Sequence, residues 1–264
     1  MSRIEDAFRR LDRPAFIAYL VAGDPGEAGF NAAARAVTDG GADILELGMP
    51  FSDPVADGPT IQQAHTRALE TGMTVDRYFG AVREVRGFSD VPIILMIYCN
   101  TVHRRGVERF YSEAKDAGAD GVLVVDMPPE ESGRAVRAAR ENGLDQIFLV
   151  APSTGDERLG AILEYAGGFV YLASLLGVTG ARDRLSEQAA RLIRRVRPHT
   201  RLPLAVGFGI SRPEHAAALR AAGADGVIVG SALVGIVEEH AGDPERMTRE
   251  IQGFVADMRK ALEG

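Results

Sequence analysis

The sequence predicts an α/β fold, a single (β/α)8 TIM barrel over residues 1–264 with an extra N-terminal helix and additional short helices. The triplet Gly-Ala-Asp occurs directly before short apolar runs at residues 41–45, 118–124 and 223–229. Glycine often ends a helix in the left-handed conformation. A short run rich in Val and Ile is typical of a parallel strand buried on both faces. Each repeat therefore indicates a unit of helix, glycine turn and parallel strand.

Eight segments fit this template, and eight parallel strands are the number that closes a TIM barrel. A doubly wound open sheet uses the same alternation of strands and helices, so the strand count alone leaves that fold as an alternative. The predicted strands are Ala15–Val21, Ile44–Gly48, Ile93–Tyr98, Val122–Asp126, Ile147–Val150, Phe169–Ala173, Leu204–Gly207 and Val227–Gly230.

Amphipathic segments with helical spacing lie between these strands. Further helices are expected at both ends of the chain, and residues 74–85 look like an insertion after the second helix. The predicted helices are Val107–Ala117, Ala135–Glu141, Glu187–Arg197 and Pro213–Ala222, with Arg3–Leu11 and Glu245–Leu262 as the additional ones.

Composition excludes several classes of protein. A formal charge of −7 argues against general binding of nucleic acid, although it is compatible with a small anionic metabolite. Cys99 is the single cysteine, so the chain forms no intrachain disulfide and offers no thiolate zinc cluster. No apolar run approaches the roughly 20 residues of a membrane span. We expect a soluble, cytoplasmic protein that does not bind a membrane.

Glycine-rich turns follow the last predicted strands, where barrels often bind phosphate. Strand seven runs into Gly207–Ser211, which contains Gly209, and strand eight runs into Gly230 and Ser231 at the start of a short helix. Backbone amides in such turns approach phosphate oxygens closely. Either turn alone is better explained as a tight turn without a ligand, but two adjacent ones, with a third candidate at Gly177–Gly180, predict a phosphate site.

Lysine and histidine positions restrict the chemistry. The two lysines, Lys115 and Lys260, lie in predicted helices, so a Schiff-base aldolase is disfavoured. The five histidines form no closely spaced pair typical of a metal site, and no metal is predicted.

Carboxylates remain as candidate catalytic groups. Glu46 lies within the apolar strand Ile44–Gly48, where burial would raise its pKa into the range of a general acid or base. An internal salt bridge explains the same position equally well. Asp57 follows on the same strand-to-helix connection, in a loop with three prolines; Asp53 in that loop suits a turn or cap. Both Glu46 and Asp57 could therefore reach a ligand at the barrel opening.

The segment Leu45–Gln62 closely resembles the signature of tryptophan synthase α subunits. The resemblance extends over nearly the whole chain. It includes Gly23-Asp24-Pro25, Tyr98-Cys99-Asn100, Asp126-Met127-Pro128, Gly177-Val178-Thr179-Gly180, Gly207-Phe208-Gly209-Ile210-Ser211 and Gly230-Ser231-Ala232.

This resemblance implies retro-aldol cleavage of indole-3-glycerol phosphate to indole and glyceraldehyde 3-phosphate without a cofactor. Glu46 would be the acid and base, and Asp57 would bind the indole N–H. Among the other implied ligands of the substrate, Gly180, Gly209, Gly230 and Ser231 would hold the phosphate. Tyr171 would approach the substrate, Tyr19 and Tyr98 would shape the indole pocket, and the loop bearing Thr179 would close over it.

The resemblance also implies a partner, a tryptophan synthase β subunit that receives indole in an α2β2 heterotetramer. Two positions depart from the family pattern. Leu175 stands where a basic residue is common, and His65 replaces a frequent asparagine. Both bear on loop closure and partner contact rather than on proton transfer.

Three other functions stay open at this point. A sugar-phosphate isomerase or epimerase would share the glycine turns but would not require the segment from Glu46 to Asp57. A subunit that binds glycerol phosphate and only activates a partner is the non-enzymatic alternative. A free-standing lyase that releases indole would have the same site residues.

Overall fold

A computed structural model of the chain describes residues 1–173, 182–207 and 209–263, without the side chains of residues 182–186. Eight parallel strands pair in chain order, and the first also pairs with the last, so the sheet is a closed barrel. This confirms the predicted barrel and contradicts an open doubly wound sheet. The strands are β1 (Ala15–Val21), β2 (Ile44–Gly48), β3 (Ile93–Ile97), β4 (Gly121–Val124), β5 (Asp145–Val150), β6 (Val170–Ala173), β7 (Leu204–Gly207) and β8 (Gly226–Val229).

Helices surround the barrel, and connections after β2, β3 and β8 each contain two of them. In the described ranges the α-helices are α1 (Arg3–Arg10), α2 (Glu27–Asp39), α3 (Pro59–Glu70), α4 (Val75–Phe88), α5 (Cys99–Arg105), α6 (Val107–Ala117), α7 (Gly133–Glu141), α8 (Asp156–Tyr165), α9 (Arg182–Val196), α10 (Pro213–Ala221), α11 (Ser231–Glu239) and α12 (Pro244–Glu263). Short 3-10 turns occupy Pro129–Glu131 and Arg197–His199. The expected insertion at residues 74–85 is α4, whose first turn is capped by the Thr74 hydroxyl.

Several predicted strand ends differ from the observed ones by one or two residues, including Gly230, which follows β8, and two of these differences concern residues near the site. Tyr98 was expected to close β3, but it is the residue before α5 and has left the sheet. Asp126 was expected in β4, but β4 ends at Val124 and the Asp126 carboxylate instead accepts the Cys99 N–H at 2.6 Å. In both cases an apolar run continues past the end of the sheet. Hydrophobic pattern alone does not reveal where backbone pairing stops.

Alternation along the strands separates two apolar layers. On β2, Ile44 belongs to the cluster inside the barrel, whereas Leu45 and Leu47 belong to the larger cluster between barrel and helices. The interior cluster also contains Ile17, Ile94, Leu123, Ile147, Phe169, Tyr171, Ala205 and Ile228. Alternate residues of a strand therefore point into the barrel or toward the helices. This alternation determines which of the two layers each site residue on a strand faces.

We call the end where strands begin the base and the end where they finish the mouth. The base is covered by α1, whose Ile4 is fully buried in the interior cluster and whose Phe8 ring lies 5.7 Å from that of Phe169. Ser2 and Glu5 form a capping box that begins α1, with each side chain bonded to the other's backbone N–H. The mouth is left open to the loops after the strands.

Candidate active site

Glu46 faces the inside of the barrel. It is in register with Tyr19 of β1 and Ile94 of β3, and it lies two residues after Ile44, an interior residue. The side chain is 1% exposed, and neither carboxyl oxygen has a hydrogen-bond partner among the described residues. An internal salt bridge, the alternative explanation, is therefore absent from the part of the chain that the structure describes.

The electrostatics of Glu46 favour a neutral carboxyl. Burial without hydrogen bonds raises the pKa of Glu46 to about 8, and the nearby charge of Asp57 adds to this shift. A group with such a pKa is largely protonated at neutral pH and can both give and take a proton. This matches the expectation from its apolar sequence neighbours.

The loop from β2 to α3 places Asp57 at the mouth. The Asp57 N–H donates to Pro54 O at 3.0 Å, which closes a tight turn, and the Gln62 side chain donates to Asp57 O at 2.9 Å from the first turns of α3. Pro59 is the first residue of α3 and has a φ suited to that position. The Asp57 backbone is thus fixed on both sides, so its carboxylate has a defined direction.

One oxygen of Asp57 is already held. The Tyr98 hydroxyl donates to Asp57 Oδ2 at 2.6 Å and accepts the Ala56 N–H at 3.2 Å, while His65 Nε2 lies 3.3 Å from the same Oδ2. No hydrogen bond involves Oδ1 among the described residues. Asp57 lines the mouth cavity, so Oδ1 is the oxygen available to a ligand.

A cavity of about 480 Å³ opens at the mouth. Its walls come from the β2–α3 loop, from interior positions of the barrel, and from the turns after β7 and β8. The lining residues are Tyr19, Ala56, Asp57, Gly58, Pro59, Thr60, Ile61, Met96, Tyr171, Gly209, Ile228, Gly230 and Ser231. Six of the ten predicted site residues line it: Tyr19, Asp57, Tyr171, Gly209, Gly230 and Ser231.

Two predicted residues are not exposed in the cavity. Glu46 is in register with Tyr19 on the neighbouring strand, and it does not line the cavity. Tyr98 is 3% exposed, and its ring stacks on Phe51 with 4.7 Å between ring centroids. Its contact with the site is made through the Asp57 carboxylate.

Tyr19 and Tyr171 lie over glycines of the next strand. A Cβ at Gly48 would overlap the Tyr19 hydroxyl, and a Cβ at Gly207 would overlap that of Tyr171. Burial, followed by the charges of Glu46 and Asp57, raises the pKa of both tyrosines well above their ordinary values. Both hydroxyls therefore keep their protons, and the two glycines provide the space in which the rings lie flat against the barrel wall.

The turns after β7 and β8, which also line the cavity, suit an anion. Gly209 has a φ of 72° and Gly230 directly precedes α11, which begins at Ser231. Backbone N–H groups at a helix start are unpaired and carry partial positive charge. The predicted phosphate residues Gly209, Gly230 and Ser231 thus lie together, whereas Thr179, Gly180 and Leu175 lie outside the described residues.

Lysine and metal chemistry find no support in the described residues. Lys115 lies on α6 and donates to Gly143 O at 3.4 Å, and Lys260 lies in α12, so neither lines the mouth cavity. Across these residues no group of three His, Cys, Asp or Glu side chains is placed to hold a metal ion. Nor does any helix in them have the length and apolar character needed to cross a membrane.

Sequence reasoning did not assign His65 to the site. It was noted only as a departure from the family pattern, yet it is buried beside Asp57. The available signal was its helical spacing, since Ile61, His65 and Ala68 form one buried row on α3. A histidine within such a row faces the barrel, where its ring nitrogens need partners.

A second contact network joins three connections at the mouth. Arg67 of α3 donates to both carboxylate oxygens of Asp24, at 2.7 and 2.9 Å, and to Glu238 of α11 at 2.7 Å. Asp24 lies in the segment Gly23-Asp24-Pro25 after β1 and is 3% exposed. The segment Gly23-Asp24-Pro25, which belongs to the family resemblance, therefore has a structural role: Asp24 and Arg67 connect the β1–α2 loop to α3 and α11.

Comparison with known proteins gives the same assignment along the whole chain. The family model described as "Tryptophan synthase alpha chain" matches residues 6–263. The tryptophan synthase alpha chain of Methanoregula boonei is 53% identical over 263 residues, covering 100% of this chain and 99% of the relative. That of Methanothermobacter thermautotrophicus is 48% identical over 256 residues, covering 97% and 95%.

Solved structures agree with the sequence relatives. Tryptophan synthase subunit alpha from Legionella pneumophila superposes with a TM-score of 0.91 at 36% identity, covering 100% of this chain and 99% of that one. A chain of the tryptophan synthase α2β2 complex from Pyrococcus furiosus gives 0.87 at 44% identity, covering 93% and 98%. The chain therefore belongs to the tryptophan synthase alpha chain family and is a lyase that cleaves indole-3-glycerol phosphate in tryptophan biosynthesis.

Proposed function

We propose that Glu46 is the acid and base of this cleavage. In the forward direction its carboxyl protonates indole C3, which turns the ring into an acceptor for the electrons of the bond to the side chain. The bond between C3 and the side chain then breaks, the hydroxyl on the departing carbon gives its proton to the Glu46 carboxylate formed in the first step, and that carbon becomes the aldehyde of glyceraldehyde 3-phosphate. The unpaired, buried carboxyl with a pKa near 8 supports this role because it is protonated before reaction.

Asp57 is the anchor for the indole ring in this proposal. Protonation at C3 places positive charge on the ring nitrogen, and a fixed carboxylate beside the N–H stabilises that charge more than it stabilises the neutral substrate. Oδ2 is tied to Tyr98, whereas Oδ1 carries no hydrogen bond among the described residues. One oxygen of the carboxylate is thus positioned and the other is available.

The phosphate is assigned to the part of the cavity lined by Gly209, Gly230 and Ser231. Gly180 belongs to the same proposed set, and Thr179 to the loop that closes over it, by family resemblance. Tyr19 and Tyr171 provide the aromatic floor, and their buried hydroxyls stay protonated. The reaction so written uses side chains and backbone amides alone.

The observation that carries the proposal is the pair of carboxyl groups on one strand-to-helix connection: that of Glu46 is buried and unpaired, and that of Asp57 is held by Tyr98 in the wall of the cavity. The test is Glu46→Gln, which keeps the shape but cannot exchange a proton. We expect indole release to fall by at least about a thousandfold, while affinity for indole-3-propanol phosphate, an analogue without the reacting hydroxyls, stays within about threefold. Glu239→Gln, at an exposed site, is the matched control. Unchanged turnover in Glu46→Gln would remove Glu46 from the mechanism.

We further propose that the chain passes indole to a β subunit in an α2β2 heterotetramer, since the similar chain from Pyrococcus furiosus belongs to an α2β2 complex. The contact surface is assigned to the loop of residues 50–60 together with residues 100–105. These segments adjoin, because Phe51 stacks on Tyr98 at the start of α5. Val55 in that loop is 84% exposed, which suits an apolar contact. Co-purification with a β subunit, followed by indole release with and without it, tests this partner and separates it from a free-standing lyase.

We also propose that residues 1–264 form a single domain and that the protein is located in the cytoplasm. One closed barrel contains every described strand, which supports the first. The presence of a single cysteine in the sequence is compatible with a reducing compartment and supports the second. Limited proteolysis and cell fractionation are the corresponding measurements.

A further inference from the structure

His65 presents a defined tautomer to the active site. Its ring is 3% exposed, and Nδ1 accepts the Phe51 N–H at 3.1 Å. A ring nitrogen that accepts a hydrogen bond carries no proton, so the neutral ring has its proton on Nε2. The backbone of the β2–α3 loop therefore determines which nitrogen of His65 is a donor.

The donor nitrogen lies beside Asp57. Nε2 is 3.3 Å from Asp57 Oδ2, and as the ring now lies the contact is not aligned as a hydrogen bond. Nε2 has no other hydrogen-bond partner among the described residues. A buried donor without an acceptor is unfavourable, so a small rotation of the carboxylate toward Nε2 is favoured. Tyr98 already donates to the same oxygen at 2.6 Å.

We propose that His65 is a positioning residue for cleavage of indole-3-glycerol phosphate. Its Nε2–H, together with the Tyr98 hydroxyl, holds Asp57 Oδ2 on the protein side, so that Oδ1 points into the cavity toward the indole N–H. Phe51 orients the imidazole, and the imidazole orients the carboxylate. This inference rests on the proposed role of Asp57 as the indole anchor.

Asparagine at this position offers the same bonding pattern. Its side-chain oxygen can accept the Phe51 N–H, and its amide N–H can donate to Asp57. Asparagine and histidine are therefore equivalent at this position under the proposal. Leucine fills a similar volume and provides neither group.

The experiment compares His65→Asn with His65→Leu. We expect kcat/KM to fall about ten- to a hundredfold in His65→Leu and to stay within about threefold in His65→Asn, the range expected for loss of a hydrogen bond to a charged group. The leucine variant should also bind indole-3-propanol phosphate more weakly, with unchanged affinity for glycerol 3-phosphate, which has no indole ring. His240→Leu, at a buried histidine that follows α11 away from the cavity, is the matched control.

A double-mutant cycle separates positioning from general packing. In an Asp57→Asn background, His65→Leu should cause no further loss, because the carboxylate that it positions is gone. An equal loss in both backgrounds would show that His65 only supports the fold. A fall in His65→Asn as large as that in His65→Leu would also overturn the inference.

Failure of the proposed function gives a different result. If Asp57→Asn alone left turnover unchanged, Asp57 would not be the indole anchor and the inference would be overturned with it. If Asp57→Asn abolished turnover but His65→Leu did not lower it, only the role of His65 would be overturned. Should His65→Leu fail to fold, the ¹⁵N signal of His65 Nε2 in the unmodified chain gives a second measurement. It should shift when indole-3-propanol phosphate binds, and an unchanged signal would contradict the proposal.

Discussion

At the base of the barrel, Asp43 accepts hydrogen bonds from two nitrogens of Arg13, at 2.7 and 2.9 Å, and from the Phe16 N–H at 2.7 Å. At the mouth, the two oxygens of Glu46 have no partner in the described part of the chain. Both carboxyl groups are largely shielded from solvent, but that of Asp43 is ion-paired with Arg13, whereas that of Glu46 is unpaired and has a raised pKa. Burial by itself therefore does not distinguish a structural carboxylate from a reactive one, whereas the presence of partners does.

The base pattern explains the Gly-Ala-Asp repeat. Asp120 accepts the Ile93 N–H at 2.9 Å and Arg86 at 2.6 Å, and Asp225 accepts the Leu204 N–H at 2.7 Å and pairs with Arg197. In each repeat the aspartate joins the start of a neighbouring strand to an arginine. The aspartates of the repeated triplet therefore stabilise the base of the barrel, whereas the candidate active site lies at the mouth.

The largest expected difference between base and mouth is in the effect of replacing an aspartate by asparagine, at Asp120 in the base and at Asp57 in the mouth. Asp120→Asn leaves half-buried Arg86 without its charged partner, and we expect the free energy of unfolding to fall by about 3 kcal/mol with kcat unchanged. Asp57→Asn should lower kcat/KM by about a hundred- to a thousandfold with little loss of stability. Urea unfolding and indole release measure the two effects. A stability loss in both variants would remove the distinction.

The next largest effect concerns the glycines under the tyrosines. Alanine at Gly48 or Gly207 would displace the Tyr19 or Tyr171 ring, and we expect kcat/KM to fall about ten- to a hundredfold while stability decreases by about 1–3 kcal/mol. Gly80→Ala on α4 is the control, since its Cβ would meet nothing within 4 Å and should stabilise the helix slightly. Full activity in both site variants would show that neither ring position matters for the reaction.

The barrel and the catalytic candidate Glu46 could be predicted from the sequence, whereas the contacts between distant segments could not. The closed barrel followed from eight short apolar runs, and Glu46 stood out because it interrupts one of them. The close approach of Tyr19 to Gly48, by contrast, depends on the register between β1 and β2, and no local sequence pattern encodes that register. The contact of His65 with Asp57 depends on how α3 packs against a loop with three prolines. Residues that act through a neighbour across the fold were therefore missed or placed only by resemblance.

A more gradual effect, spread over several pH units, is expected from the protonation of Glu46. Its carboxyl has a pKa of about 8 in the folded chain against an ordinary 4.5, so between these values folding takes up a proton and wild-type stability falls as pH rises. Glu46→Gln lacks this dependence. We expect its advantage in unfolding free energy to grow by roughly 1.4 kcal/mol per pH unit over that range and to level off above it. Urea unfolding from pH 5 to about pH 9 tests this, and parallel curves for the two chains would mean that Glu46 is charged in the native state.

The smallest effect returns to the base, where α1 begins with the Ser2–Glu5 capping box. Ser2→Ala removes the hydroxyl that accepts the Glu5 N–H at 3.2 Å in the first turn of α1. We expect a loss of about 1 kcal/mol in unfolding free energy and no change in kcat or KM, because α1 closes the end of the barrel that does not meet substrate. Ser2→Thr keeps the acceptor and is the control. A change in turnover with Ser2→Ala would show that the base and the mouth are coupled. Such coupling could pass through the interior cluster, because Ile4 of α1 and Ile44 of β2 both belong to it.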